Sequence, residues 1–395
     1  MTINKLKASE LFHRCDTDQF DFNTTAQVKP LLEVIGQKRA VDAVRFGVGI
    51  QRDGYNLYAL GPNGIGKSSL VHRYVEEKAQ SKEIPSDWCY VNNFQQPHKP
   101  HVLELPAGMG HEFSIDMEQL IEDLHAVIPA VFESEEYRTR SQVIEEELSE
   151  RQERAIDELR KAAREKGISL INTPTGITLA PTRNDEVMKI EDFKHLPKEE
   201  REQIEKDTEL LQERLIKALH KAPQWKKEAR DKMALLNREI SANAAGNLID
   251  AIREKYRELP ALVEHLNQVE VDVVEHFRNF LRPEEEKPSF IEVQLTGAEQ
   301  TSDTRYRVNA LVTRDTNGGA PVVYEDNPSY LNLIGRVEHR AYMGTLETDF
   351  TMIRAGALHQ ANGGYLILDA LKVLMQPFAW EGLKRALQSQ EIRME

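Results

Sequence analysis

The stretch LYALGPNGIGKSSLV, residues 57–71, constrains the fold of this chain more than any other. It sets Gly61, Gly66, Lys67 and Ser68 in a G-x-x-x-x-G-K-S pattern, between the apolar run NLYAL and the helix-forming run SSLVHRYVEEKA. A strand, a glycine-rich turn and a helix in that order make a P-loop. The glycines let backbone N–H groups curl around phosphate oxygens, the lysine reaches the β and γ oxygens, and the Ser68 hydroxyl ligates Mg²⁺. Pro62, Asn63, Gly64 and Ile65 fill the turn, and Ser69 follows in the first helical turn. A chance glycine-rich turn would not supply strand, lysine, serine and helix together, so a nucleotide site is expected here.

A nucleotide also needs a slot for its base. Upstream, LLEVIGQKRAVDAVRFGVGI offers Val34, Ile35 and Gly36 as an apolar wall with exposed backbone groups, before a helix from about Lys38. Periodicity leaves two readings open, a base pocket or an ordinary strand-turn-helix entry. Far downstream, GGYLILDALKVL runs from Gly363 through four apolar residues into Asp369. A buried parallel strand ending in an acid is the usual place for a water-mediated Mg²⁺ contact opposite Ser68. The alternative is a surface acid after a core strand.

The 395 residues, 40% hydrophobic and 29% charged, suffice for two or three domains with separate cores. A formal net charge of −14 argues against nucleic acid binding by the chain as a whole. Cys15 and Cys89 lie far apart and form no CxxC pair, which points away from a disulfide framework or a zinc knuckle. The opening MTINKLKASELFHRCD has no apolar signal core, and no segment approaches the roughly 20 apolar residues of a membrane span. A cytoplasmic chain with no membrane partner is expected.

Three zones separate by texture. Residues 1–110 are mixed α/β, with the short apolar runs YNLYALG, DWCYVNNF and PHVLELPAG. Residues 111–288 read as a helical insertion, a bundle or coiled-coil arm. Ile144, Leu148, Ala155, Leu159 and Ala162 share one face. Ile204, Thr208, Leu211, Leu215, Ala218, Ala222 and Trp225 share another, and Met233, Leu236, Ile240, Leu248 and Ile252 continue it in a further segment. Leu262, Leu266, Val269, Val273, Phe277 and Phe280 form a fourth stripe. Between the first two helices, ISLINTPTGITLAPT reads as a β hairpin. Residues 289–395 return to α/β texture with FIEVQL, RYRVNALVT and GGYLILDAL. One α/β domain interrupted by a helical insertion is the economical reading.

IGQKRAV followed by GPNGIGKSS resembles the opening of an AAA+ ATPase, in which the IGQ segment lies against adenine. HRAYMGTLETDFTMIRAGALHQANGGYLILDALKVL resembles the core of Lon-family ATP-dependent proteases, where an aromatic-hydrophobic-glycine loop precedes the metal-binding strand. Here that triplet is Tyr342, Met343 and Gly344, and Tyr342 stands 27 residues before Asp369. YVNNFQQPHKPHVLELPAG is similar to the stretch after the P-loop helix in the Lon-B-like branch, whose members carry large insertions just beyond it.

The resemblance implies an AAA+ P-loop core with a parallel sheet, ATP and Mg²⁺ as cofactors, adenine against Ile35 and Gly36, and Mg²⁺ near Ser68 and Asp369. Tyr342 and Met343 would grip threaded polypeptide, since an aromatic and a thioether bury apolar contact without demanding a sequence. As residues alone they read equally as core. Unfolded protein substrates, a homo-oligomeric ring and a serine peptidase domain of Ser-Lys type outside these residues are further implications. With 26 residues after Asp369, the reading is of a C-terminally truncated AAA+ module. The chain departs from the family at Ala370, where a glutamate ordinarily orients the attacking water. Losing such a group costs roughly 10²- to 10⁴-fold in rate and leaves binding intact. Glu381 is a candidate replacement, or a solvated helix residue. The alternative functions are a nucleotide-gated scaffold or chaperone-like interaction module, and a DNA-associated AAA+ motor, which the acidic balance disfavours.

Overall fold

The computed structural model describes residues 5–12, 15–28, 37–50, 52, 54–62, 64–173, 176–183, 186–188, 197–281, 303–342 and 345–394. In chain order the helices used below are α1 (Lys38–Gly49), α2 (Lys67–Gln80), α3 (Met109–Phe132), α4 (Glu135–Arg164), α5 (Lys198–Lys255), α6 (Pro260–Glu275), α7 (Tyr330–Ile334), α8 (Ala357–Gln360), α9 (Ala370–Met375) and α10 (Ala379–Ser389). The strands are β1 (Asp87–Val91), β2 (His101–Leu105), β3 (Ile168–Thr173), β4 (Gly176–Arg183), β5 (Glu186–Val187), β6 (Val308–Val312), β7 (Val322–Glu325), β8 (Gly335–Val337), β9 (Arg340–Tyr342), β10 (Thr345–Glu347), β11 (Ile353–Ala355) and β12 (Tyr365–Leu368). Two compact units divide them. Met1–Pro85, Asn317–Gly335 and Gly356–Met394 form the first, and Ser86–Thr316 with Arg336–Ala355 the second.

The second unit is built on an antiparallel sheet of order β2-β1-β6. Along β1 the residues Asp87, Cys89 and Val91 are buried in alternation, as a strand with one covered face requires. The cover includes α3, whose Phe113, Met117, Leu120, Leu124 and Ile128 recur at helical spacing and are buried. The same cluster takes in Ala245 and Ile249 of α5 and Leu262, Leu266, Val269 and Val273 of α6. Proline at the first position of α6 suits its start, since that N–H has no intrahelical partner in any case. The runs DWCYVNNF, PHVLELPAG and RYRVNALVT, read from sequence with the α/β parts, therefore pack with the helices.

The stripe from Ile204 to Trp225 and the one from Met233 to Ile252, read as two segments, lie on one 58-residue helix, α5, about 87 Å long at 1.5 Å per residue. Pro223 does not end it, because half-buried Ala218, Ala222, Trp225 and Met233 carry the covered face from Leu215 on to Leu236. The N-terminal part of α5 lies antiparallel to α4, as the ion pairs Arg140–Glu239, Glu147–Lys232, Arg151–Glu228 and Lys166–Asp207 record. These pairs are largely exposed and screened by solvent, and set register more than stability. Ser134 caps α4, its Oγ accepting from Tyr137 N at 3.3 Å. Beyond α4, β3 and β4 form the expected hairpin. Thr173 faces Gly176, which leaves two residues for the turn.

His265 on α6 is buried in this unit, stacked on Phe94 at 5.9 Å, with neither ring nitrogen hydrogen-bonded. Burial, and to a lesser degree the nearby His101, pushes its pKa down to about 4. An unfolded imidazole titrates near 6.5, so between pH 6.5 and 4 the unfolded chain takes up a proton that the folded one refuses. His265 therefore costs no stability above pH 6.5, and stability falls as the pH drops toward 4, by about 3 kcal/mol in total. Urea unfolding at pH 7.5 and 4.5 should show this loss, and His265→Leu should reduce it. A residual slope is expected from the first unit, where His359 is also held near 4 by burial.

In the first unit α1 and α2 pack through Val41, Val44 and Tyr74. Strands β7 and β12 are parallel, in register from Val322↔Tyr365 to Glu325↔Leu368. Val323, Leu366 and Leu368 pack against Leu333, Ile334, Ala357, Val373, Ala379 and Ala386. The approach to β12 needs glycine, since a Cβ at Gly364 would fall 2.0 Å from the Pro321 carbonyl oxygen. The structure corrects the reading of NLYAL as a strand. Residues 55–60 join no ladder among the described residues, and Tyr58 and Leu60 are 71% and 84% exposed. A strand is held by a neighbour that satisfies its N–H and C=O groups, and the only ladder of this unit's described residues that could extend into a parallel sheet is the β7–β12 pair.

Candidate nucleotide site

The turn before α2 has the conformation its glycines permit. Gly64 and Gly66 have φ of +81° and +80°, a region that side-chain-bearing residues rarely adopt. Gly66 is the N-cap of α2 and no side chain caps that end, so the N–H groups of Lys67, Ser68 and Ser69 face outward at the positive end of a helix dipole. Lys67 Nζ folds back over the turn, donating to the Gly61 carbonyl and to the Pro62 carbonyl at 3.2 Å. Ile65 is 57% exposed, and Ser68 and Ser69 are exposed. Anion-ready N–H groups, a lysine held on neutral carbonyls and a hydroxyl beside them fit a polyphosphate. Val34, Ile35, Gly36 and Asn63 lie outside the described residues.

The direction of α2 relates this turn to Asp369. The C-terminal end of α2 meets the beginnings of the two strands: Ala79 O accepts from Ala320 N at 2.9 Å, and Lys82 Nζ lies 4.5 Å above the Tyr365 ring. Further back along α2, His72 meets Tyr324 near the end of β7, ring centroids 5.3 Å apart. The helix therefore runs antiparallel to both strands. Ser68 lies four residues before His72, about 6 Å along the helix. Tyr324 pairs with Ile367, and Asp369 lies two residues beyond it, about 7 Å along the strand. The phosphate turn and Asp369 thus stand at the same carboxyl-terminal edge, the edge where open α/β sheets bind ligands.

Asp369 is exposed and caps α9, its Oδ1 accepting from Leu371 N at 2.9 Å and Lys372 N at 3.3 Å. Ala370 is the first residue of α9 and supplies no carboxylate. Glu381 is exposed in the first turn of α10 and paired with Lys384 at 2.7 Å, as a solvated helix residue would be. Among the described residues no group of three or more His, Cys, Asp or Glu side chains could hold a metal ion. One hydroxyl and one carboxylate suit a Mg²⁺ that arrives with phosphates and keeps its waters. Sequence reasoning passed over Glu325, the last residue of β7, for want of any local signal; the strand register sets it opposite Leu368.

Tyr342 closes a hairpin in the second unit, where β9 pairs with β10 and Tyr342 faces Thr345. Met343 and Gly344, between them, lie outside the described residues. Ala341, Thr345 and Leu346 are exposed, so the hairpin's described neighbours are not core.

Residues 318–395 match the model of the LonB-like AAA domain, and residues 87–120 match that of the Lon-like LonC helical domain. Two separate parts of the chain are thus similar to domains of Lon-related proteins. The AAA match runs from before β7 through the β9–β10 hairpin, β12 and α10, while the P-loop lies outside it. The helical-domain match begins at Asp87 with β1 and ends within α3, inside the second unit. Comparison with curated proteins finds no match. An AAA domain is an α/β P-loop fold that binds nucleotide, usually with Mg²⁺, and the two matches together suggest a Lon-family ATPase module. No helix among the described residues is long and apolar enough to cross a membrane.

Proposed function

We propose that this chain binds ATP·Mg²⁺ and acts as the polypeptide-moving module of a Lon-like ATP-dependent protease that works as a ring of identical subunits. The observation that carries the reading is the common edge of the phosphate turn and Asp369. In the bound state the N–H groups of Gly64, Gly66, Lys67 and Ser68 would cradle the phosphates. Lys67 would exchange the Gly61 and Pro62 carbonyls for charged oxygens, a stronger acceptor set. Ser68 and, through water, Asp369 would hold Mg²⁺, which supplies charge neutralisation at the β and γ phosphates. Tyr342, at the end of β9, and Met343, which follows it in sequence, would bear on unstructured substrate by apolar contact. Adenine against Ile35 and Gly36, the cytoplasmic setting and the boundaries 110 and 288 belong to the same proposal. A second reading, a scaffold gated by bound nucleotide, is favoured by one observation, the absence of a carboxylate at Ala370.

Equilibrium binding of a fluorescent ATP analogue with and without Mg²⁺ tests the nucleotide reading, and Asp369→Asn tests the metal assignment. Asparagine caps a helix as well as aspartate does, so α9 persists while the charge is lost. The variant should bind ATP without Mg²⁺ as the parent does and lose roughly tenfold of the tightening that Mg²⁺ brings, equivalent to about 1.4 kcal/mol. Equal tightening in both proteins would remove Asp369 from the metal site.

A further inference from the structure

Asp369 follows β12 without the glutamate expected beside it, yet a carboxylate stands one strand away. The register Leu368↔Glu325 puts Glu325 at the end of β7, level with the residue before Asp369. The two faces of the strand pair are told apart by their contacts. Tyr324 and Tyr365 meet His72 and Lys82 of the α2 segment, whereas Val323, Leu366 and Leu368 pack into the opposite core. Strand alternation therefore sets Glu325 on the face of Val323 and Leu368. The backbone is still extended at Asp369, φ −79° and ψ 113°, so the same alternation carries Ala370 to that face. Position 370 lies one strand over, about 4.8 Å, and two residues beyond Leu368, about 6.6 Å along, so the two Cα atoms stand about 8 Å apart, a diagonal across which long side chains reach one another. Glu325 is thus the residue whose carboxylate can enter the region that a side chain at position 370 would occupy.

Its surroundings suit that task. Glu325 is half-buried, and its Oε1 accepts from Asn327 N at 2.8 Å. The turn is braced by Asn332 Nδ2 donating to the Asn327 carbonyl at 2.9 Å. The other acids near this edge are engaged: Asp326 with Lys372, Glu381 with Lys384, and Asp369 Oδ1 in the cap of α9. Glu325 makes no ion pair among the described residues.

We infer that Glu325 orients and deprotonates the water that attacks ATP, in place of the glutamate that Ala370 cannot supply; this rests on the ATP reading above. The water oxygen bonds to the γ phosphorus as the bond to the bridging oxygen breaks, and that electron pair leaves with ADP. The proton passes to the Glu325 carboxylate and from there to solvent, giving ADP and inorganic phosphate. The test uses the full-length protein, with ATP binding and phosphate release measured side by side. Glu325→Gln keeps an oxygen for Asn327 N and should bind ATP as the parent does, while phosphate release falls roughly 10²-fold. Adding Ala370→Glu to that variant should restore turnover. Parent protein that binds no ATP would remove the nucleotide reading itself. Parent protein that binds ATP without releasing phosphate, or a Glu325→Gln rate within about threefold of the parent's, would overturn the role of Glu325 alone. Lost turnover with a lowered melting temperature and no rescue by Ala370→Glu would assign Glu325 to structure and overturn it as well.

Discussion

Lys67→Ala should weaken ATP binding at least about 100-fold while leaving the melting temperature nearly unchanged. The asymmetry follows from what the ammonium does in each state. In the free protein Nζ rests on two carbonyl oxygens of a solvent-facing turn, Gly61 and Pro62. Water replaces it there at little cost, within about 0.5 kcal/mol as for most surface changes. On a polyphosphate the same group makes charge-assisted bonds of about 1.5–3 kcal/mol each, and two of them amount to two decades in affinity or more. Lys67→Arg should recover only part of the loss, because a planar fork does not fit a space shaped for a point charge. Calorimetric titration with ATP and differential scanning on the same samples check both halves. A variant that binds ATP within about threefold of the parent would move the phosphate site elsewhere.

Asp87→Ala should destabilise the second unit by about 3–5 kcal/mol. Asp87 is fully buried at the start of β1, and its carboxylate joins three places distant in sequence. Oδ2 accepts from Gly110 N at 2.8 Å, in the first turn of α3, and Oδ1 accepts from Arg314 N at 2.7 Å, just after β6. Removing the side chain strands two backbone N–H groups away from water, at about 1–3 kcal/mol each, and takes a negative charge from the positive end of α3. Asp87→Asn should be milder, since an amide oxygen still serves one of the two donors. Urea unfolding followed by helical circular dichroism reads the difference. A shift of less than about 1 kcal/mol would mean that the β1–α3–β6 junction is held by its apolar contacts alone.

Much of the nucleotide turn and the helical zone was legible in the residues because their signals are local. The conformation of GPNGIGKSS is set by glycines that admit positive φ, and the helix after Gly66 by good helix formers. The stripes of α4, α5 and α6 recur at helical spacing, and the residues they named are buried or half-buried. The β3–β4 hairpin follows from two β-rich runs around a tight turn. Non-local pairings were not legible. NLYAL has the composition of a buried strand, and no strand among the described residues pairs with it. DWCYVNNF and RYRVNALVT have the same texture, and they pair with each other across more than two hundred residues, under a helix. Nothing in β1 says which sheet it will join, because a strand's hydrogen bonds are made with whatever chain lies alongside.

The amino-acid sequence by itself determined the glycine turn that opens α2, which faces of the long helices must be covered, and that Asp369 follows an apolar run while Ala370 does not repeat its chemistry. Those features depend on φ/ψ preferences and on periods of two and 3.6 residues, which a dozen neighbouring residues suffice to express. Tertiary structure alone decided that α2 runs against β7 and β12 so that Ser68 and Asp369 share an edge, that Glu325 lies across from Leu368, and that His265 is buried without a partner. Each depends on register and burial between segments remote in the chain, and register is a relation between two segments that neither carries alone.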